Sequence, residues 1–245
     1  MPRFLLVHGA WHGSWCMGQL AEALRARGHS VEALDLPGRA DAQIAGLETE
    51  ASLEGDRDHV AERVLAEKEP TIVVGHSLAG LILPMLPGHC GERLAGLVYL
   101  CAYRPRPGES ATAIETAFGG PVMKPIFEKA GDGTSIALSR GAAPFLYHDV
   151  PDELAENAFG RLLPQPKRLF LDRSIYDDTD LEGLPQLYVL CRDDRVIPDT
   201  RQRAMASAPP AIETIEIACG HSPFLAQPEA LSRTLSDWAA RSVLK

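Results

Sequence analysis

The sequence predicts an α/β architecture, a mostly parallel doubly wound sheet with an inserted helical lid, and three observations carry that prediction. Six short apolar runs rich in β-branched or aromatic residues alternate with longer segments of helical period. The runs are apolar on successive residues, which implies a sheet covered on both faces and therefore parallel. After the fourth run, roughly seventy residues pass without a convincing strand, too long a stretch for a simple connection.

In chain order the predicted strands are "RFLLVHG" (3–9), "SVEALDL" (30–36), "TIVVG" (71–75), "LAGLVYLCA" (94–102), "QLYVLC" (186–191) and "ETIEIA" (213–218). Between them, "SWCMGQLAEALRARG" (14–28) repeats apolar residues at helical spacing and stops at Gly28, a suitable cap. "EGDRDHVAERVLAEK" (54–68) begins acidic and ends basic, as the helix dipole prefers. A helix is expected after the third strand, kinked or ended by Pro84. "PEALSRTLSDWAARSVL" (228–244) starts on a proline, which suits the first turn of a last helix. Residues 110–178 form the expected lid, with "PDELAENAFGRLLPQP" (151–166) its clearest helix. Seven spaced aromatics (Phe118, Phe127, Phe145, Tyr147, Phe159, Phe170 and Tyr176) predict that this segment packs onto something. The expectation is one domain over residues 1–245, with a cap inserted at about 110–178.

Bulk chemistry narrows the function classes. A net charge of -9 repels nucleic-acid phosphates and anionic lipid heads, so neither is expected as a partner. The five cysteines (Cys16, Cys90, Cys101, Cys191 and Cys219) are scattered, with no CxxC spacing or His/Cys cluster for a metal, and read as buried reduced thiols. Neither a signal peptide nor a membrane span is apparent, and a cytoplasmic protein is expected. A homodimer stays open.

Chemistry concentrates in "TIVVGHSLAG" (71–80). A strand that reverses directly into a helix forces the residue at its tip into a strained conformation and demands small neighbours. Gly75, Ala79 and Gly80 supply them around Ser77. The pattern is G-x-S-x-A, with alanine where the motif has its last glycine. This places the serine oxygen at the carboxyl end of the sheet, beside N–H groups able to hold an oxyanion. A plain helix cap would explain the serine but none of its small neighbours.

Activating a serine hydroxyl requires a base oriented by an acid. Of eight histidines, His221 fits the order Ser, acid, His expected for this architecture. It follows the last predicted strand and precedes the final helix. "LYVLCRDDRVIP" (187–198) offers Asp193 and Asp194 at the end of the preceding strand, and spacing does not choose between them. "LVHGAWHGSW" (6–15) leaves the first strand through a glycine-permitted turn that can aim the Ala10 N–H at the serine. The Leu78 N–H, directly after the serine, supplies a second oxyanion donor.

These segments, with "GHSVEALDLPG" (28–38) and "GHSPFL" (220–225), resemble the α/β-hydrolases. Within them the likeness is to the group of plant methylesterases and hydroxynitrile lyases with their bacterial relatives. It runs from the first strand to the final helix and is weakest in the lid. The resemblance implies that the acid is Asp194, four residues before Pro198. Lyases of this group carry a threonine in the oxyanion turn and a lysine after the histidine. Here Gly9-Ala10 and Ser222 stand there, which favours ester hydrolysis. The expected function is a serine carboxylic-ester hydrolase acting on small apolar or aryl esters through an acyl-enzyme. Its expected catalytic residues are Ser77, Asp194 and His221, its oxyanion donors Ala10 and Leu78, with Trp11 touching substrate. Neither cofactor nor metal is expected. Hydroxynitrile lyase or carbon–carbon hydrolase chemistry on the same triad, and a non-catalytic small-molecule binding protein, are the alternatives.

Overall fold

The computed structural model describes residues 2–38, 51–123, 126–130 and 133–243. In chain order its elements begin with β1 (Arg3–Val7), α1 (Gly18–Arg25), β2 (Ser30–Leu34), α2 (Leu53–Leu65), β3 (Thr71–His76), α3 (Pro87–Cys90) and β4 (Leu94–Leu100). An insertion follows, with α4 (Ala111–Ala117), β5 (Phe127–Ala130), β6 (Ser135–Leu138), α5 (Ala143–Leu146), α6 (Asp152–Gly160), β7 (Gln165–Pro166) and α7 (Arg168–Leu171). The chain then returns through β8 (Gln186–Cys191), α8 (Asp199–Ser207), β9 (Glu213–Ile217), α9 (Pro223–Ala226) and α10 (Pro228–Ser242).

All six predicted strands are present, and they form one sheet in the order β2-β1-β3-β4-β8-β9 with every pairing parallel. Alternate residues of the central strands feed two separate cores. Leu5 and Val7 of β1 and Val73 of β3 join one; Phe4, Leu6, Ile72 and Val74 join the other. The second core is closed by α1 and α10, through Leu20, Leu24, Leu235 and Trp238. Apolar residues on both faces of a strand are what a sheet buried on both faces requires.

The strand order has a consequence for function. From β1 the chain moves to β2 on one side, and β3 then starts the other side. The crevice beyond the carboxyl ends of β1 and β3 is therefore the topological switch point, where open α/β sheets bind their ligands. Both motif-bearing turns, Gly9-Ala10 after β1 and Ser77 after β3, leave the sheet there.

The insertion differs from its prediction. Instead of helices alone, residues 110–178 also contain a three-stranded antiparallel sheet, β5-β6-β7. These strands are two to four residues long and half-buried or exposed for the most part, so they carry none of the apolar runs that marked the main sheet. The helix read over 151–166 ends at Gly160, and Gln165–Pro166 is β7. The seven aromatics do pack onto the cores: Tyr147 is buried, and the other six lie against one or both.

Beyond Ser77 the helix expected to run to a kink or end at Pro84 is replaced by two short 3-10 turns, Ser77–Leu81 and Leu83–Met85, before α3 starts on Pro87. Pro84 lacks the N–H a continuing helix needs. The helix expected over 14–28 opens as a 3-10 turn, Ser14–Met17, before α1. Leu244, the last residue of the final predicted helix, lies outside the described residues. All five cysteine thiols are free and buried; burial raises Cys90 to about 11 and Cys101 to about 12. Among the described residues no helix is long and apolar enough to cross a membrane.

Candidate active site

Backbone strain collects at the carboxyl edge of the sheet. The described non-glycine residues with positive φ are Trp11 (63°), Ser77 (51°) and Cys101 (37°), which follow β1, β3 and β4. Each such conformation costs about 1–3 kcal/mol and persists only where the surroundings over-determine it. At Ser77 the surroundings are tight. A Cβ on Gly80 would fall 2.0 Å from the Tyr103 carbonyl oxygen, and one on Gly9 would fall 2.8 Å from both the Ser77 Cβ and the His76 Nδ1. The β1 turn thus approaches the serine as closely as backbone can.

His221 and Asp194 meet as a buried pair, His221 Nδ1 donating to Asp194 Oδ2 at 2.7 Å. The other carboxylate oxygen accepts the N–H groups of Val196 (2.7 Å) and Ile197 (2.9 Å). Gln202, with no exposed surface, donates to Oδ2 at 3.1 Å and also bonds the N–H and C=O of Cys191, locking the acid loop to the end of β8. Asp193 is exposed and does not share in this. Because a carboxylate only accepts, His221 carries its proton on Nδ1 and leaves Nε2 with a lone pair, the form a general base needs. Among the described residues the Ser77 hydroxyl, 6% exposed, makes no hydrogen bond to that ring. Such contacts commonly tighten only when substrate binds.

Three further histidines, which the sequence reading passed over, hold the backbone of this edge. His8 accepts the Leu36 N–H on Nε2 (3.3 Å), so its Nδ1 carries the proton and donates to the Gly9 carbonyl at 2.9 Å. That carbonyl belongs to the peptide whose N–H is Ala10's. His12 donates from Nδ1 to the Ala10 carbonyl (2.8 Å) and accepts the Tyr147 hydroxyl on Nε2 (2.7 Å). Burial holds His12 down to about 3, so it is neutral at physiological pH. His76 donates from Nε2 to the His221 carbonyl at 2.9 Å, and burial keeps it well below the ordinary histidine range. The H-G-x-x-H spacing in residues 8–12 was the available signal; which atoms it bonds was not visible.

His76, Cys101 and His221 each place a potential ligand atom within 4.8 Å of the others. The His76 Nε2 and Cys101 Sγ in that group donate to the His221 carbonyl, at 2.9 and 3.6 Å, so they grip the histidine loop.

Ala10, Trp11, Ser77 and Leu78 line a cavity of about 160 Å³ together with Phe127, Ile136 and Phe170 of the insertion. Trp11 is clamped between the two parts. Its N–H donates to Gln165 Oε1 (3.0 Å), its indole to the Ile136 carbonyl (2.9 Å), and its ring lies 5.8 and 5.7 Å from those of Phe127 and Phe170. A cavity of about 150 Å³ accepts a benzene ring, so this one suits a single ring-sized group.

A parallel sheet, a strained serine at its switch point and a buried His–Asp pair beside it define an α/β hydrolase architecture. Residues 4–234 match the model of the alpha/beta hydrolase family, and the chain belongs to that family. It is 29% identical over 252 residues to methylesterase 1 of Arabidopsis thaliana, covering 94% of this chain and 92% of that one. To the pyrethroid hydrolase of Sphingobium wenxiniae it is 28% identical over 244 residues, covering 96% and 86%. Among solved structures, a pyrethroid hydrolase from Sphingobium faniae JZ-2 superposes with a TM-score of 0.85 at 24% identity, covering 100% of this chain and 99% of that one.

Proposed function

We propose that this chain is a serine carboxylic-ester hydrolase acting on small apolar or aryl esters through an acyl-enzyme. The observation that carries the reading is the buried His221–Asp194 pair at 2.7 Å, at the sheet edge where Ser77, held at φ 51°, opens onto a ring-sized cavity.

The steps follow from the atoms available. His221 Nε2 takes the Ser77 proton as the oxygen attacks the ester carbonyl, and Asp194 stabilises the imidazolium through Nδ1–H. Charge developing on the carbonyl oxygen is met by the N–H groups of Ala10 and Leu78, residues that line the cavity with Ser77. His8 and His12 hold the turn bearing Ala10 from either side, so that donor need not reorganise during the reaction. His221 returns its proton to the departing alcohol, then deprotonates water to release the acid. Every proton has a named carrier, so the cycle calls for neither cofactor nor metal. The lyase variant lacks a cation beside the histidine: the following residue is Ser222, fully buried.

The insertion is read as a lid, since its Phe127, Ile136 and Phe170 line the same cavity as Ser77. Partners follow from charge and site: a small-molecule ester, no nucleic acid and no membrane, in a cytoplasmic setting that keeps the buried thiols reduced. Ser77→Ala is expected to abolish turnover of a short-chain aryl ester while the circular-dichroism melt stays as in the wild type. Unchanged turnover ends the proposal.

A further inference from the structure

Apart from Ser77, the polar side chains lining the cavity are Trp11, Tyr103, Thr112, Glu115 and Thr116. Every donor among them is spent inside the protein. The Trp11 indole donates to the Ile136 carbonyl (2.9 Å) and the Tyr103 hydroxyl to Glu115 Oε1 (2.8 Å). Thr112 donates to the Phe170 carbonyl (2.8 Å) and Thr116 to the Thr112 carbonyl (2.7 Å). What these side chains offer a bound molecule is lone pairs, and the strongest acceptor is the Glu115 carboxylate.

Glu115 is positioned for that role. It lies on α4, is 6% exposed, and its Oε2 accepts Arg201 Nη1 at 2.5 Å. Arg201 is held in turn by the carbonyls of Phe118 and Gly120, both at 3.1 Å. Each carboxylate oxygen thus has one protein donor, while a carboxylate takes about four in all. Arg201 does not reach the cavity wall, so its charge holds Glu115 in place without offering a donor to the ligand.

From this arrangement we propose that Glu115 is a specificity-determining residue. It selects esters whose ring-sized group carries a hydroxyl or amine, and it turns away those carrying a second, anionic group. The inference rests on the ester-hydrolase reading for its substrate, but the wall's polarity stands apart from the chemistry at Ser77. A donor on the ligand gains a charge-assisted hydrogen bond, and an anion placed beside Glu115 meets the lone pairs of these side chains and a like charge.

The test uses methyl phenylacetate, its three positional hydroxy isomers and its three positional carboxy analogues. Turnover is measured on the wild type and affinity on Ser77→Ala by calorimetry. At least one hydroxy isomer should bind about tenfold or more tighter than the parent, with every carboxy analogue weaker than the parent. Glu115→Gln should erase most of the hydroxyl preference and relax the exclusion of the anions, so that the ratio of hydroxy to carboxy affinity falls toward one. A purely structural role for Glu115 would weaken all seven ligands alike, and that result overturns the proposal. Carboxy analogues that bind the unmutated wall as well as the hydroxy isomers also overturn it, whether or not Glu115→Gln folds. If no ester is turned over but Ser77→Ala still shows the Glu115-dependent preference, the esterase reading falls and the subsite stands.

Discussion

The two walls of the cavity are built by different means. On the sheet side, the groups aimed at the cavity are mainly backbone: the Ala10 turn and the Ser77 elbow, held by histidines that donate to carbonyls 9, 10 and 221. On the insertion side they are side chains on short helices and strands of two to seven residues, tied down by tilted ring contacts with Trp11 and by the Glu115–Arg201 pair. The contrast teaches a division of labour. Reaction geometry has to be correct to a fraction of an ångström, and the ends of a parallel sheet supply that precision; selectivity needs only a surface of suitable polarity, which an insertion can present.

Perturbing the sheet wall should be far more damaging. Asp194→Asn keeps the shape but removes the acceptor that sets the His221 tautomer, and kcat should fall by about ten-thousandfold with KM nearly constant. A loss under tenfold in steady-state assays would show that the tautomer is set elsewhere. Next in size is Gly9→Ala, whose methyl would stand 2.8 Å from the Ser77 Cβ. Displacing the oxyanion turn should cost about a hundredfold or more in kcat, and normal turnover in that variant would break the claim of close approach.

Acid tests the same wall through stability. His12 has an ordinary value of 6.5 and is held to about 3 by burial, so between those values the unfolded chain binds a proton the folded one refuses. Stability contributed above 6.5 is therefore lost progressively as pH falls toward 3, by about 2 kcal/mol at pH 5 from this ring alone. His76 adds in the same direction. Urea midpoints at pH 7 and pH 5 report the loss; equal midpoints would mean both rings are charged in the native protein. The smallest effect belongs to the insertion wall: Phe170→Ala should raise KM for aryl esters several-fold and leave kcat within about twofold. A large fall in kcat instead would erase the distinction between the two walls.

Legibility followed the range of the interactions. The four central strands β1, β3, β4 and β8 were readable because each carries its signal in five to seven almost wholly buried residues. The more exposed edge strands β2 and β9 were readable because of their β-branched residues, and the elbow because Gly75, Ala79 and Gly80 stand beside Ser77. The small sheet of the insertion was not readable: β5, β6 and β7 face solvent enough to need no apolar run, and Gln165 pairs with Ile136 across the fold. The helix after Ser77 was anticipated to falter at Pro84, but not to be 3-10 from its first residue. Asp194 was separated from Asp193 only by family likeness. In space Asp194 is the one of the two that accepts hydrogen bonds from His221 Nδ1–H, the Gln202 amide and two backbone N–H groups.

By itself the sequence determined the layered α/β order, the strained turn at Ser77 and the candidate residues, because those depend on steric and apolar patterns among near neighbours. Tertiary structure alone decided which nitrogen of each histidine holds the proton, how Trp11 is clamped and which way the cavity's hydroxyls point. Their partners lie 145 residues away for His76, 135 for His12, and 125 and 154 for Trp11. A hydrogen bond is set by ångström-scale placement of two groups, and no local pattern encodes that when the chain between them must fold first.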